Sequence, residues 1–208
     1  MDKKLKNALL KRIEKTNELF NSSTPEQKRV MIAQDCIDRI KANLLTPKRE
    51  RLITMPNYEN VNQENVNSVT CEVCAKGGLL TSYVGRVNNF DESCHIGNSE
   101  YNSAHKKLLE IFTLEQLAII EYAFEGQQHI HSVDIPFGMS GALRGFYNSY
   151  VTDEERLIAI CENIIKNNGD FVLQLKKLLY LCTTINPINL WIMKNIKWHK
   201  FFIVALFI

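Results

Sequence analysis

The chain has 208 residues, 45% of them hydrophobic and 23% charged, and its formal net charge is +2. That composition suits one globular domain that buries its own core and needs no staple. A balance so near neutral gives no chain-wide electrostatic footprint for nucleic acid, although a local patch is not excluded by it. The opening stretch MDKKLKNALLKRIEK has no continuous apolar run, so it does not read as a secretory signal. Cys36, Cys71, Cys74, Cys94, Cys161 and Cys182 are therefore expected as reduced thiols in a cytoplasm. No stretch reaches the roughly 18 apolar residues of a bilayer-spanning helix.

Helix signals dominate, and the fold class they predict is all-α. The expectation is a single helical domain of about six or seven helices with a long polar connector and loop. A charged N-terminal helix occupies 1–22, with Leu5, Leu9, Ile13 and Leu19 as its apolar members, and reads as a loosely docked arm. The core domain is expected over 23–190. It opens on Thr24 as N-cap, with Pro25 at the first helical position and Gln27 completing a capping box. Val30, Ala33, Ile37, Ile40 and Leu44 then share one stripe. An Asn-rich connector follows, with a short extended piece at 51–55.

A third helix is predicted over Thr70 to Asn88, weakened by Gly77 and Gly78. A polar loop and a short helix, 103–112, lead to a second capping box, Thr113 with Gln116, and to Leu114, Leu117, Ile120 and Phe124. Gly126 stops that helix. The stretch 127–150 reads as loop plus one short helix. Thr152 and Glu155 make a third box, with Leu157, Ile160, Cys161 and Ile164 packing inward, and a further helix is predicted from Asp170 to Cys182. The apolar tail, 191–208, is too short to span a membrane. It reads as a core-packed segment, with an interfacial anchor or an atypical reading frame as alternatives.

The sharpest chemical motif is TCEVCAKGG. Cys71 and Cys74 have the spacing of half a zinc site, with Cys94 and His95, or His105 in place of His95, as the other half. An adjacent Cys-His pair rarely turns both side chains to one metal. The favoured reading is a helix stripe of small residues, Cys71, Cys74 and Gly78, packed in the core. The expected cofactor is none, with zinc as the alternative. His129, His131 and Asp134, preceded by Glu121 and Glu125 at i and i+4, form a second candidate metal set, against a plainer reading as surface histidines and solvated glutamates. No Cys-His nucleophile signature is present. GMSGALRGF, with Arg144, is a turn before a short helix rather than a P-loop, though a backbone anion nest is conceivable there. Lys28, Arg29, Arg39, Lys41, Lys48, Arg49 and Arg51 could gather for phosphates, but interleaved acids make a solvated face the preferred account.

The succession RVMIAQDCIDRIKA, CEVCAKGGLLTSYV, FTLEQLAIIEYAFEG and DEERLIAICENIIKNNGDF resembles a group of small uncharacterised proteins encoded by bacteriophages and prophages, over about Gln27 to Phe171. The resemblance implies a setting, a bacterial cytoplasm during phage infection or lysogeny, and no residue roles. The functional expectation is a non-enzymatic binding protein, a phage or prophage accessory factor acting on a host protein or small ligand. A zinc-stabilised nucleic-acid-binding module and an enzyme whose site is not visible in the sequence are the alternatives.

Overall fold

Local chemistry sets the starts of three helices where the sequence places them. In each, a threonine side chain accepts the N3 backbone N–H while the N3 side chain returns to the N-cap. Thr24 with Gln27 opens α2 (Pro25–Lys41), Thr113 with Gln116 opens α4 (Leu114–Glu125), and Thr152 with Glu155 opens α6 (Asp153–Lys166). Gly126 ends α4 in the left-handed conformation, φ 77°. The computed structural model describes residues 3–55, 66–87, 106–126 and 139–173. Its remaining helices are α1 (Lys3–Ser22), α3 (Ala75–Val87) and α5 (Met139–Asn148), with a short 3-10 turn at Val66–Ser68. Among the described residues no helix is long and apolar enough to cross a membrane.

A small three-stranded sheet sits inside this mostly helical fold. β1 (Leu45–Pro47) and β2 (Ile53–Thr54) flank β3 (Cys71–Val73), parallel to it on one side and antiparallel on the other. Leu45 faces Cys71, and Ile53 faces Val73. Pro47 is tolerated because β1 is an edge strand, where a missing N–H costs no ladder bond. β2 falls in the extended piece expected at 51–55. The helix predicted from Thr70 is corrected: it begins at Ala75, and Cys71 stands on β3. The predicted stripe of Cys71, Cys74 and Gly78 on one helix therefore does not exist, although both thiols are buried. Residues 170–173 are not helical, so the helix expected from Asp170 does not start there. The rest of that prediction, the tail 191–208, Cys94, His95, His105, His129, His131 and Asp134 lie outside the described residues.

α3 is the axis of the molecule. From Ala75 to Arg86 every residue is buried, which a helix manages only when it is covered on all sides. α2 and α6 pack together along Ile32, Cys36, Leu157, Ile160, Cys161 and Ile164 within the main core. α1 is not a loose arm. Phe20 joins the main core, Leu9 and Ile13 form a satellite with Ala42 and Leu44, and Arg12 bridges to Asp35 and Asp38 on α2. Arg29 pins three elements at once. It donates to Gly169 O at 2.7 Å, to Ile111 O at 2.8 Å and to Asp170 Oδ1 at 3.0 Å.

Candidate functional site

Ionisable groups normally avoid a core, so those held inside one are where function or specificity is sought. Two such clusters lie on α3, one at each end.

The first is at its N-terminus. Lys76, 2% exposed, reaches Glu121 Oε1 of α4 at 2.7 Å. Glu125 follows one turn later, also buried. Its two carboxylate oxygens take the backbone N–H of Glu50 at 3.3 and 3.1 Å. Glu50 is in the left-handed region, φ 61°, in the turn between β1 and β2. That turn is tied down twice more. Arg49 donates its backbone N–H and its Nε to Asp153 of α6, each at 3.0 Å, and the Arg51 carbonyl accepts from the Cys74 backbone N–H. The expectation of two solvated glutamates is thus corrected: both are inside, because α4 is apolar almost all round and is covered accordingly.

Burial, with the charges of Glu121, Asp153 and Glu50, pushes the Glu125 carboxyl up from its ordinary 4.5 to about 7, against the pull of the Glu50 N–H. The folded chain therefore holds a proton there that the unfolded chain has released. Stability contributed by this group is full below pH 4.5 and is lost as pH rises through 7. Glu125→Gln keeps an acceptor for Glu50 and removes the ionisation. It is expected to gain about 1 kcal/mol over wild type at pH 8 and nothing at pH 4, once partial solvent screening is allowed for. Chemical denaturation at the two pH values checks this, and an equal effect at both would remove Glu125 from the pH dependence.

The second cluster joins α1, α2 and the C-terminal end of α3. Asp35, with no exposure, accepts from Arg12 and from Arg86 Nε, and from Arg86 Nη2 at 3.0 Å. Arg86 also donates to Thr16 Oγ1 at 2.9 Å, and its guanidinium lies 5.2 Å from the Phe20 ring centre. Arg39, one turn along α2 from Asp35, is 1% exposed and donates to Asn67 Oδ1. The solvated basic face expected of α2 is therefore corrected at two positions, since Arg29 and Arg39 both point inward.

The sequence reading missed Asp35, Lys76 and Arg86. A signal existed for α2: Arg29, Ile32, Cys36 and Arg39 recur at i, i+3, i+7 and i+10, a second inward row beside the apolar stripe.

Cys36, Cys71, Cys74 and Cys161 are free and buried. Burial pushes the Cys71 thiol up to about 11, partly offset by Arg39, and the Cys74 thiol up to about 12. A hydrogen bond with Cys36, then burial, raises Cys161 well above the usual thiol range. These three are protonated at neutral pH, the form in which a thiol is a poor nucleophile. Cys71 points toward the Leu44 carbonyl, 3.9 Å away. Among the described residues no group of three or more His, Cys, Asp or Glu side chains is gathered as a metal set. Arg144 is exposed on α5, and the predicted short helix there runs through Gly141 and Gly145. Compared with family models, with curated proteins and with solved structures, the chain matches none of them.

Proposed function

We propose that the chain is a non-enzymatic binding protein, an accessory factor in the phage or prophage setting that its sequence resembles, acting on a host protein or a small ligand. The observation that carries this reading is the Lys76–Glu121 pair at 2.7 Å inside the core. Lys76 is the one buried amine of the described residues, and it is held by a carboxylate between two helices as a structural tie. The buried thiols of Cys71 and Cys74 are protonated. An enzyme needs a base or nucleophile within reach of its substrate, and the burial of Lys76 and of these thiols is what supports the non-enzymatic reading.

Native mass spectrometry of the protein purified from a bacterial host tests the reading. A discrete, stoichiometric adduct supports it. Turnover in a hydrolase and transferase screen that disappears in Lys76→Met would overturn it in favour of an enzyme. Elemental analysis adds a second arm. Neither wild type nor Cys74→Ser is expected to retain zinc. One zinc per chain, lost in the variant, would move the reading to the zinc-stabilised nucleic-acid module through Cys71, Cys74, Cys94 and His95.

A further inference from the structure

The positive charge of the chain is concentrated on one helix. α1 carries six cations, Lys3, Lys4, Lys6, Lys11, Arg12 and Lys15, against two anions, Glu14 and Glu18, in a chain whose net charge is +2. From Lys3 to Ile13 it has no acid at all. Arg12 is taken up by Asp35 and Asp38. Lys4, Lys11 and Lys15 are exposed, and at 3.6 residues per turn they fall within about 40° of one another around the helix axis. They point away from Leu9, Ile13 and Phe20, which bury the opposite side of α1 in the core. The row is about 16 Å long. Lys41, exposed at the end of α2, adds a cation at the same end of the molecule, since its neighbour Ala42 clusters with Leu9.

This placement works against the helix itself. The N-terminal end of a helix is the positive pole of its dipole, where a cation is unfavourable. α2, α4 and α6 follow that rule and open on Glu26, Glu115 and Asp153, whereas the first turn of α1 carries Lys3, Lys4 and Lys6. A polyanion laid along the outer face relieves the dipole and the lysines together.

The chemistry of the face selects among polyanionic partners. The apolar side of α1 is already spent on the core, so the helix cannot dip into acyl chains as an interfacial helix does. No large apolar or aromatic anchor stands in the middle of the row, as the centre of a protein interface requires. The one aromatic ring of α1, Phe20, is buried and offers no platform for unpaired bases. Lysines spread along a straight row match an extended, evenly charged backbone, and a duplex presents one charge per about 1.7 Å of its axis.

We propose that the outer face of α1, through Lys4, Lys11 and Lys15, is a docking surface for the phosphate backbone of a nucleic-acid duplex, without sequence preference. Phosphate contacts of this kind read no bases. The surface needs neither zinc nor Lys76, so the inference is independent of the binding-protein reading.

The probe is a short fluorescein-labelled DNA duplex of mixed sequence, titrated with the full chain and read by anisotropy. Wild type is expected to bind saturably at low salt and to lose about 40-fold in affinity between about 50 and about 200 mM salt, the slope for three neutralised phosphates. Lys4→Gln/Lys11→Gln/Lys15→Gln keeps helix propensity nearly unchanged. It is expected to match wild type in circular dichroism and to lose about 10-fold or more in affinity at low salt. Arg51→Gln/Arg144→Gln/Lys166→Gln removes the same charge from exposed positions outside α1 and is expected to bind as wild type does. Equal weakening in the two triple variants would reduce the effect to net charge and overturn the surface. So would wild-type binding without salt dependence, a result that decides the matter even if the α1 variant fails to fold. Binding to phosphatidylserine vesicles with none to the duplex would make this a membrane face and overturn it too. None of these results touches the binding-protein reading, which fails on turnover dependent on Lys76.

Discussion

Asp35→Ala is expected to cost about 3–5 kcal/mol of folding stability, the range for removing one partner of a buried ion pair. The size follows from what is left behind. Asp35 is fully buried and serves two arginines with both oxygens. Arg12 keeps Asp38 at 2.7 Å and has solvent on one side. Arg86 does not: its side chain is 2% exposed, and without Asp35 it retains Thr16 Oγ1 and the face of Phe20. The variant therefore strands a buried guanidinium next to the Arg39 charge already there. Against the 5–15 kcal/mol by which domains are usually stable, that is a large share. The urea midpoint of Asp35→Ala should fall steeply, and Asp35→Ala/Arg86→Met should recover much of the loss, because an apolar pair tolerates the interior better than one unpaired ion. A loss below about 1 kcal/mol, or a double variant no better than the single, would mean that Arg86 finds water in the folded state.

The same cluster marks where sequence reading runs out. The capping boxes at Thr24, Thr113 and Thr152 were legible because each is complete within four residues. β3 was not, since three residues are too few to show alternation, and its pairing is decided by Leu45 and Ile53, which are distant in sequence. The α3 pattern runs on backward over Cys71 in the sequence, and β3 interrupts it. The buried charges are a subtler case. Glu121 stands in LAIIEYAFE, a run apolar on every face of a helix, and that alone signals a glutamate inside the core. Its partner Lys76 carries no such mark. In AKGGLL, burial comes from the elements that close around α3, and no local pattern encodes them. Arg39 reads in the sequence as one of several surface cations, and its inward side of α2 is set by α3 and Asn67.

Gly77→Ala is expected to abolish cooperative folding or to cost about 3 kcal/mol or more, a reversal of the usual effect of that substitution. In a helix interior alanine normally gains about 1 kcal/mol over glycine through backbone entropy. Here the sign is set by the sheet. The chain entering β2 crosses α3 at Gly77 so closely that a Cβ would overlap the Leu52 carbonyl oxygen and lie 2.7 Å from its carbon and 3.1 Å from Ile53 Cγ1. The obstacle is backbone, and it cannot swing aside as a side chain tip would. Moving it would disturb the Ile53–Val73 pairing and the bond from the Cys74 N–H to Arg51 O, and with them the seat of Lys76. Gly145→Ala is the matched control. It sits in α5 with nothing within 4 Å of the added methyl, and it is expected to stabilise by about 0.5–1 kcal/mol. Thermal denaturation of the two variants side by side separates helix propensity from close approach. If both gain stability, β2 does not cross α3 at Gly77, and the lock on the turn beside Glu125 is gone with it.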